Sequence, residues 1–123
     1  MDPFEVSAEL LKALAHPERL RLLAALRDRE ECVCHLTALL GQRQPYVSQQ
    51  LSYLRDAGLI SDRKEGLRVY YAIRDPRIFE ILDDVARLSG NAKGLYKRGT
   101  NHALRDCVCP RCAPEKTLER SHA

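Results

Sequence analysis

Five cysteines fall in two tight groups, Cys32-Val33-Cys34-His35 and Cys107-Val108-Cys109-Pro110-Arg111-Cys112. An odd number in two clusters argues against a disulfide framework and towards metal or redox chemistry. Thiolates are soft ligands for Zn(II), Cd(II), Pb(II) and As(III). Inside a regular helix, a C-x-C pair points its side chains about 200° apart, so both thiols reach one ion only where the helix is starting or frayed. Cys32 is placed at such a start. The second group, C-x-C-x-x-C around a proline, is compact enough to supply one to three thiolates by itself. Structural zinc usually takes four N/S ligands from C-x₂₋₄-C pairs, and this spacing is not of that kind. Two other readings stand beside metal binding. Cys32 and Cys34 are buried structural thiols, or one of them pairs with a tail cysteine under oxidant or persulfide stress.

A second group of residues could recognise nucleic acid. Pro45 suits a helix start, and Val47, Leu51 and Leu54 recur at helical spacing, so one stripe of residues 44–57 faces a core. Gln44, Tyr46, Ser48 and Gln49 gather at the start of that helix, largely off the stripe, where side chains reach base edges in a major groove. Gly58 ends it. Residues 59–62 and 67–73 read as strands joined by a turn at Arg63-Lys64-Glu65-Gly66, a hairpin whose basic tip (Arg63, Lys64 and Arg68) suits phosphate. Between Gln42 and Arg74 six basic residues face three acidic ones, whereas the rest of the chain balances 14 against 14. The whole net charge of +3 therefore sits in this unit, as phosphate neutralisation requires. The competing reading is a solvated hairpin on some other helical domain.

The elements that must position these groups follow from caps and periodicity. Asp2-Pro3 starts a helix to about Ala15, with Val6, Leu10 and Leu14 as its stripe. His16-Pro17 marks the boundary of a second helix reaching roughly Asp28, with Leu20, Leu23 and Leu26 inward. A third covers about Cys32 to Leu40, with Leu36, Leu39 and Leu40 inward, and stops at Gly41. It forms a helix-turn-helix with the 44–57 segment. Asp75-Pro76 starts a last helix carrying Ile78, Leu82 and Val85, which ends at Gly90. Val6, Leu10, Ile78, Leu82 and Val85 form the expected dimer surface; the alternative is that the last helix only caps the monomer core. Residues 1–90 are thus one DNA-binding and dimerisation domain, mostly α with a β-hairpin. Residues 91–123 are a cysteine-containing arm, with short helices at 92–96 and 102–106. Composition is that of a globular protein with no membrane span, and the acidic N-terminus is unlike a secretory leader, so a cytoplasmic location is expected.

The chain resembles the ArsR/SmtB family of metal-sensing repressors over roughly Leu10 to Leu88. Leu14-Ala15-His16-Pro17-Glu18-Arg19-Leu20-Arg21-Leu22-Leu23 is similar to that family's second-helix signature. Glu31-Cys32-Val33-Cys34-His35-Leu36 resembles its metal-box motif, in which the two cysteines are ligands. Gln44 to Leu51 with Leu54 to Ile60 resembles its recognition helix, and Asp62 to Tyr71 its wing. The resemblance implies a homodimeric winged helix-turn-helix protein that holds double-stranded operator DNA while empty and releases it when an ion binds. No catalytic residues are expected.

Two positions depart from the family pattern. His35 stands where an acidic residue is usual and Gln50 where a His is usual; His35 is read as a surface residue rather than an extra ligand. The last helix has no His in residues 75–89, so the second metal site of some members is not carried over. Cys107, Cys109 and Cys112 have no fixed counterpart. Chemistry alone suggests that one or two of them complete a site with Cys32 and Cys34. An S₃ pyramid would suit arsenite or lead, and an S₄ site cadmium or zinc.

Overall fold

The computed structural model describes residues 1–91; the arm, with Cys107, Cys109, Cys112 and the two short helices expected there, lies outside the described residues. Five helices and a three-stranded antiparallel sheet run in the order α1 (Pro3–Leu14), α2 (Pro17–Ala25), β1 (Glu31–Cys32), α3 (Val33–Leu40), α4 (Gln44–Asp56), β2 (Ile60–Glu65), β3 (Arg68–Ile73) and α5 (Ile78–Leu88). Among the described residues no helix is long and apolar enough to cross a membrane.

The caps form as residue chemistry dictates. The Asp2 carboxylate accepts the Glu5 N–H at 2.8 Å, and Pro3 opens α1. The His16 Nδ1 accepts the Glu18 N–H at 3.1 Å, which makes His16 the N-cap of α2 and confirms its boundary role. Such side-chain caps satisfy one of the orphan N–H groups of a first turn and contribute about 1 kcal/mol each. At the far end of α4 the Gly58 N–H bonds to Arg55 O and the Leu59 N–H to Leu54 O, with Gly58 at φ +80°. This Schellman geometry requires a left-handed residue at that point, and its buried apolar partner is Leu59.

The sheet order is β1-β3-β2. Glu65 pairs with Arg68, so the hairpin turn is Gly66-Leu67 alone and Arg63 to Glu65 belong to β2. The expected four-residue turn is thus corrected to two. Gly66 takes φ +60° while Leu67 stays at negative φ, the pattern of a type II′ hairpin turn. β1, absent from the sequence reading, pairs Glu31 with Tyr71 and Cys32 with Tyr70. Other boundaries also move. α2 stops at Ala25 rather than near Asp28. α5 starts at Ile78, because Asp75 caps an intervening turn by accepting the Arg77 N–H at 3.0 Å.

One core joins all five helices to the sheet. Leu22 and Leu23 of α2 with Leu26 at its C-cap, Leu36 of α3, Val47, Leu51 and Leu54 of α4, Ile60, and Phe79 and Leu82 of α5 are buried in it. Leu20 and Leu40 pack at its margin, while Leu39, expected to face inward, is exposed. A bidentate pair between Arg27 and Asp83, both bonds 3.0 Å, ties the segment just after α2 to α5, and the Arg27 guanidinium lies 4.8 Å from the Phe79 ring centroid. That hydrogen-bonded partner holds the Asp83 carboxyl below the usual carboxylate range.

The expected dimer surface is only partly available. Ile78 and Leu82 are packed into the core of their own chain, and Leu10 is half-buried against it. Val6 and Val85 do face outward, together with Phe4 and Leu11 of α1 and Ile81 and Leu88 of α5. The periodic stripe read from sequence on α5 therefore merged two faces. Ile78, Phe79, Leu82 and Ala86 point inward, and Ile81, Val85 and Leu88 point out.

Candidate nucleic-acid interface and thiol site

α4 is held from behind by Val47, Leu51 and Leu54, all fully buried, so its opposite side is presented as a rigid surface. Gln44 and Gln49 are exposed there, and Ser48 is half-buried beside them. Tyr46 packs partly against the core, which leaves only part of its ring for contact outside the chain. Arg43, the N-cap of α4, makes no side-chain capping bond and is exposed. It was missed by sequence reading, although a basic residue immediately before a polar helix start is a usable signal for phosphate contact.

The wing's basic residues differ more than sequence suggests. Arg63 donates through Nε and Nη2 to the Glu30 carboxylate at 3.3 and 2.5 Å, and through Nη1 to Glu65 at 2.9 Å. Its guanidinium also lies 4.7 Å from the Tyr70 ring centroid. These partners push the Arg63 pKa up, and Arg63 in turn holds the Glu30 carboxyl below its usual range. Glu30, outside any sequence motif, thus anchors the wing to the segment before β1. Lys64 is exposed, with no ion pair among the described residues. Each phosphate neutralised adds about 0.9 to the slope of log affinity against log salt. Lys64→Ala is therefore expected to reduce the salt slope of DNA binding by about 0.9 per subunit, and Arg63→Ala by less than half of that. Anisotropy titrations at several salt concentrations measure both.

The thiols sit where wing and α3 meet. Cys32 is 1% exposed and lies in β1 with extended backbone, so it precedes the helix rather than lying within it. Its Sγ accepts the His35 N–H at 3.4 Å and caps α3. Cys34 is half-buried, and its Sγ accepts from Arg68 Nη1 at 3.4 Å. The third basic residue of the predicted DNA set is thereby placed against the second thiol of the predicted metal set. Directly flanking the two cysteines in sequence lies a buried pair, His35 Nε2 and Glu31 Oε2 at 3.4 Å, with exposures of 0% and 2%. The reading of His35 as a surface residue is corrected: its ring is enclosed between β1 and the core.

Soft sulfur donors at a helix start fit a thiophilic ion in kind, but two thiols are short of a complete set. No group of three or more His, Cys, Asp and Glu residues suited to an ion occurs among the described residues. Further ligands would have to come from elsewhere in the chain, and Cys107, Cys109 and Cys112 are the remaining cysteines.

Comparison with known proteins places this architecture. The family model described as "Bacterial regulatory protein, arsR family" matches residues 16–62, from the N-cap of α2 into β2. A transcriptional repressor SmtB homologue of Synechocystis is 40% identical over 86 residues, covering 70% of this chain and 65% of that protein. The arsenical resistance operon repressor of Escherichia coli K12 is 41% identical over 71 residues, covering 57% of this chain and 61% of its own. The chain thus spans slightly under two thirds of the length of each of these relatives. The crystal structure of Mycobacterium tuberculosis Rv0081 superposes with a TM-score of 0.66 at 34% identity, covering 76% of this chain and 95% of that one. With the matched segment running through the helix-turn-helix and the same fold in the solved structure, the chain belongs to the ArsR/SmtB family of winged helix-turn-helix transcriptional repressors.

Proposed function

We propose that the protein is a homodimeric repressor that binds double-stranded operator DNA while its thiols are unligated and leaves it when a thiophilic ion is bound. Two α4 helices, related by a two-fold axis through the outward faces of α1 and α5, read successive major grooves. Exposed Phe4, Val6 and Leu11 on α1 and Ile81, Val85 and Leu88 on α5 support that pairing. Gln44, Tyr46, Ser48 and Gln49 face base edges; Lys64, with Arg43, meets phosphate. Cys32 and Cys34 ligate the ion with one or two of Cys107, Cys109 and Cys112.

The observation that carries this reading is the Cys34–Arg68 contact across α3 and β3. It puts the sensing atom in touch with the wing, while the pairing of Cys32 with Tyr70 fastens the other thiol to the same strand. A bound As(III), Cd(II), Pb(II) or Zn(II) supplies a soft acceptor for sulfur lone pairs. Cys34 would give up lone-pair density to the ion, so its hold on the Arg68 guanidinium would weaken and β3 would lose part of a contact that fixes the wing beside α3. Ligation would draw on the same Cys32 sulfur that caps α3, so the start of that helix would loosen at the same time. A tenfold loss of DNA affinity needs only about 1.4 kcal/mol of such coupling. The name of the arsenical resistance operon repressor supports a thiophilic metalloid as effector.

The tail ligands are tested by replacing Cys107, Cys109 and Cys112 together with serine. Wild-type protein titrated with Cd(II) is expected to show a thiolate-to-metal absorption band at one ion per subunit. In the triple variant the band shrinks towards that of a two-thiolate site, and affinity falls about tenfold or more. A triple variant with wild-type band and affinity would remove the arm from the site.

A further inference from the structure

Between α1, the dimer-facing helix, and the C-terminal end of α4, the reading helix, lies an open groove of about 560 Å³, lined by Val6, Leu10, Tyr53 and Ala57 among others. One side chain from a third helix spans the two. Arg19, in the first turn of α2, donates through Nε to Ala13 O at 2.7 Å and through Nη2 to Lys12 O at 3.0 Å, both carbonyls in the last turn of α1. Its Nη1 donates to Gln50 Oε1 on α4 at 3.0 Å, and its guanidinium lies 4.2 Å from the centroid of the Tyr53 ring, also on α4.

From this we infer that Arg19 is a positioning residue that fixes the angle between α1 and α4 and so sets the half-site spacing the dimer accepts. The inference rests on the reading of the protein as a dimeric operator-binding repressor, and says which residue gives that dimer its reach. The last carbonyls of a helix lack intrahelical partners and carry the negative end of its dipole, so a permanent cation is held firmly there. A planar guanidinium can use one edge for those carbonyls, another for an amide oxygen, and its face for an aromatic ring. Lysine offers a single ammonium and can do only one of these well. On a two-fold dimer, α1 is fixed at the axis. Any freedom in the α1–α4 angle is therefore magnified at the tips of the two reading helices, which must sit about 34 Å apart, one turn of DNA. Because Arg19 touches no residue of the proposed base-reading set, its effect should fall on spacing rather than on the half-site sequence.

The test uses the full chain and a duplex half-site selected by the wild-type protein from random DNA, presented as inverted repeats at the selected spacing and at spacings longer or shorter by one and two base pairs. Arg19→Lys is expected to remain dimeric in sedimentation. Affinity at the selected spacing falls about tenfold, and the preference for that spacing over the two-base-pair variants narrows by a similar factor. The base preference within each half-site stays unchanged. Tyr53→Leu, which removes the stacking partner at an exposed position of α4, is expected to flatten the spacing profile in the same direction and covers the case in which Arg19→Lys fails to fold. A spacing profile in both variants as sharp as that of wild type, whatever the absolute affinity, would overturn the inference. Wild-type protein that binds single half-sites as a monomer would overturn the dimeric repressor reading itself, and the spacing role with it.

Discussion

Cys34→Ser protein is expected to hold operator DNA with wild-type affinity and to keep holding it when an ion is added. Serine is nearly isosteric, and its hydroxyl can accept from Arg68 as the sulfur does at 3.4 Å. The wing should therefore stay in place beside α3, and the surface offered by α4 should not change. What is lost is the soft donor: a neutral hydroxyl does not compete with thiolate for Cd(II), Pb(II) or As(III). If saturating ion lowers wild-type affinity by about 10- to 100-fold, a coupling of about 1.4–2.7 kcal/mol, the variant should change by less than about twofold. Fluorescence anisotropy on labelled operator, with and without ion, measures both states. Serine is also a strong N-cap, so Cys32→Ser should keep the start of α3 while losing response. The two single variants therefore separate sensing from folding at both thiols. Normal release by Cys34→Ser would remove this thiol from the sensor.

The second large effect is on stability. Leu51 is fully buried on the inward face of α4, between the equally buried Val47 and Leu54. Leu51→Ala removes three buried carbons and leaves a cavity that the surrounding helices and sheet can close only in part. The expected loss is about 3 kcal/mol. For a domain of this size that lowers the melting temperature by roughly 15 °C, measured by circular dichroism on protein free of DNA and metal. Gln49→Ala, two residues earlier and exposed, should leave the melting temperature within about 2–4 °C while costing about 1–3 kcal/mol in operator binding. A stable Leu51→Ala protein, or an unstable Gln49→Ala protein, would mean that the inward and outward faces of α4 are assigned wrongly.

Much of this architecture is legible in residue order because its signals are local. The Asp2-Pro3 and His16-Pro17 starts, the Gly41 and Gly58 stops and the Val47/Leu51/Leu54 stripe are each set by residues within a turn or two, and the structure places them as read. What sequence does not show is set by pairing over distance. β1 has two residues, too few for alternation to appear, and it exists because β3 lies beside it. His35 reads as a polar surface residue until β1 brings Glu31 to its ring. Arg63 reads as a phosphate ligand until Glu30, 33 residues earlier in the chain, occupies two of its nitrogens. The dimer surface was blurred for a related reason. α5 is apolar on two faces, and periodicity alone does not tell which of Ile78, Ile81, Leu82 and Val85 the chain keeps for its own core. At the thiol site, the two cysteines and their helix-start setting follow from spacing, whereas the contact of Cys34 with Arg68 follows only from the fold.

In the proposed mechanism, occupation of the cysteine site and release of DNA are one linked event. That linkage is tested most directly by titrating reduced, metal-free protein, bound to its own promoter DNA, with Cd(II), Pb(II), Zn(II) and As(III) in turn, recording anisotropy and thiolate-to-metal absorption in the same cuvette. At least one ion is expected to raise the absorption band and lower the anisotropy together, reaching both end points at the same stoichiometry. Linkage further requires that ion to bind DNA-free protein more tightly than DNA-bound protein by the factor through which it weakens DNA binding. Saturation of the band by every ion that binds, with DNA still held at full affinity, would contradict it.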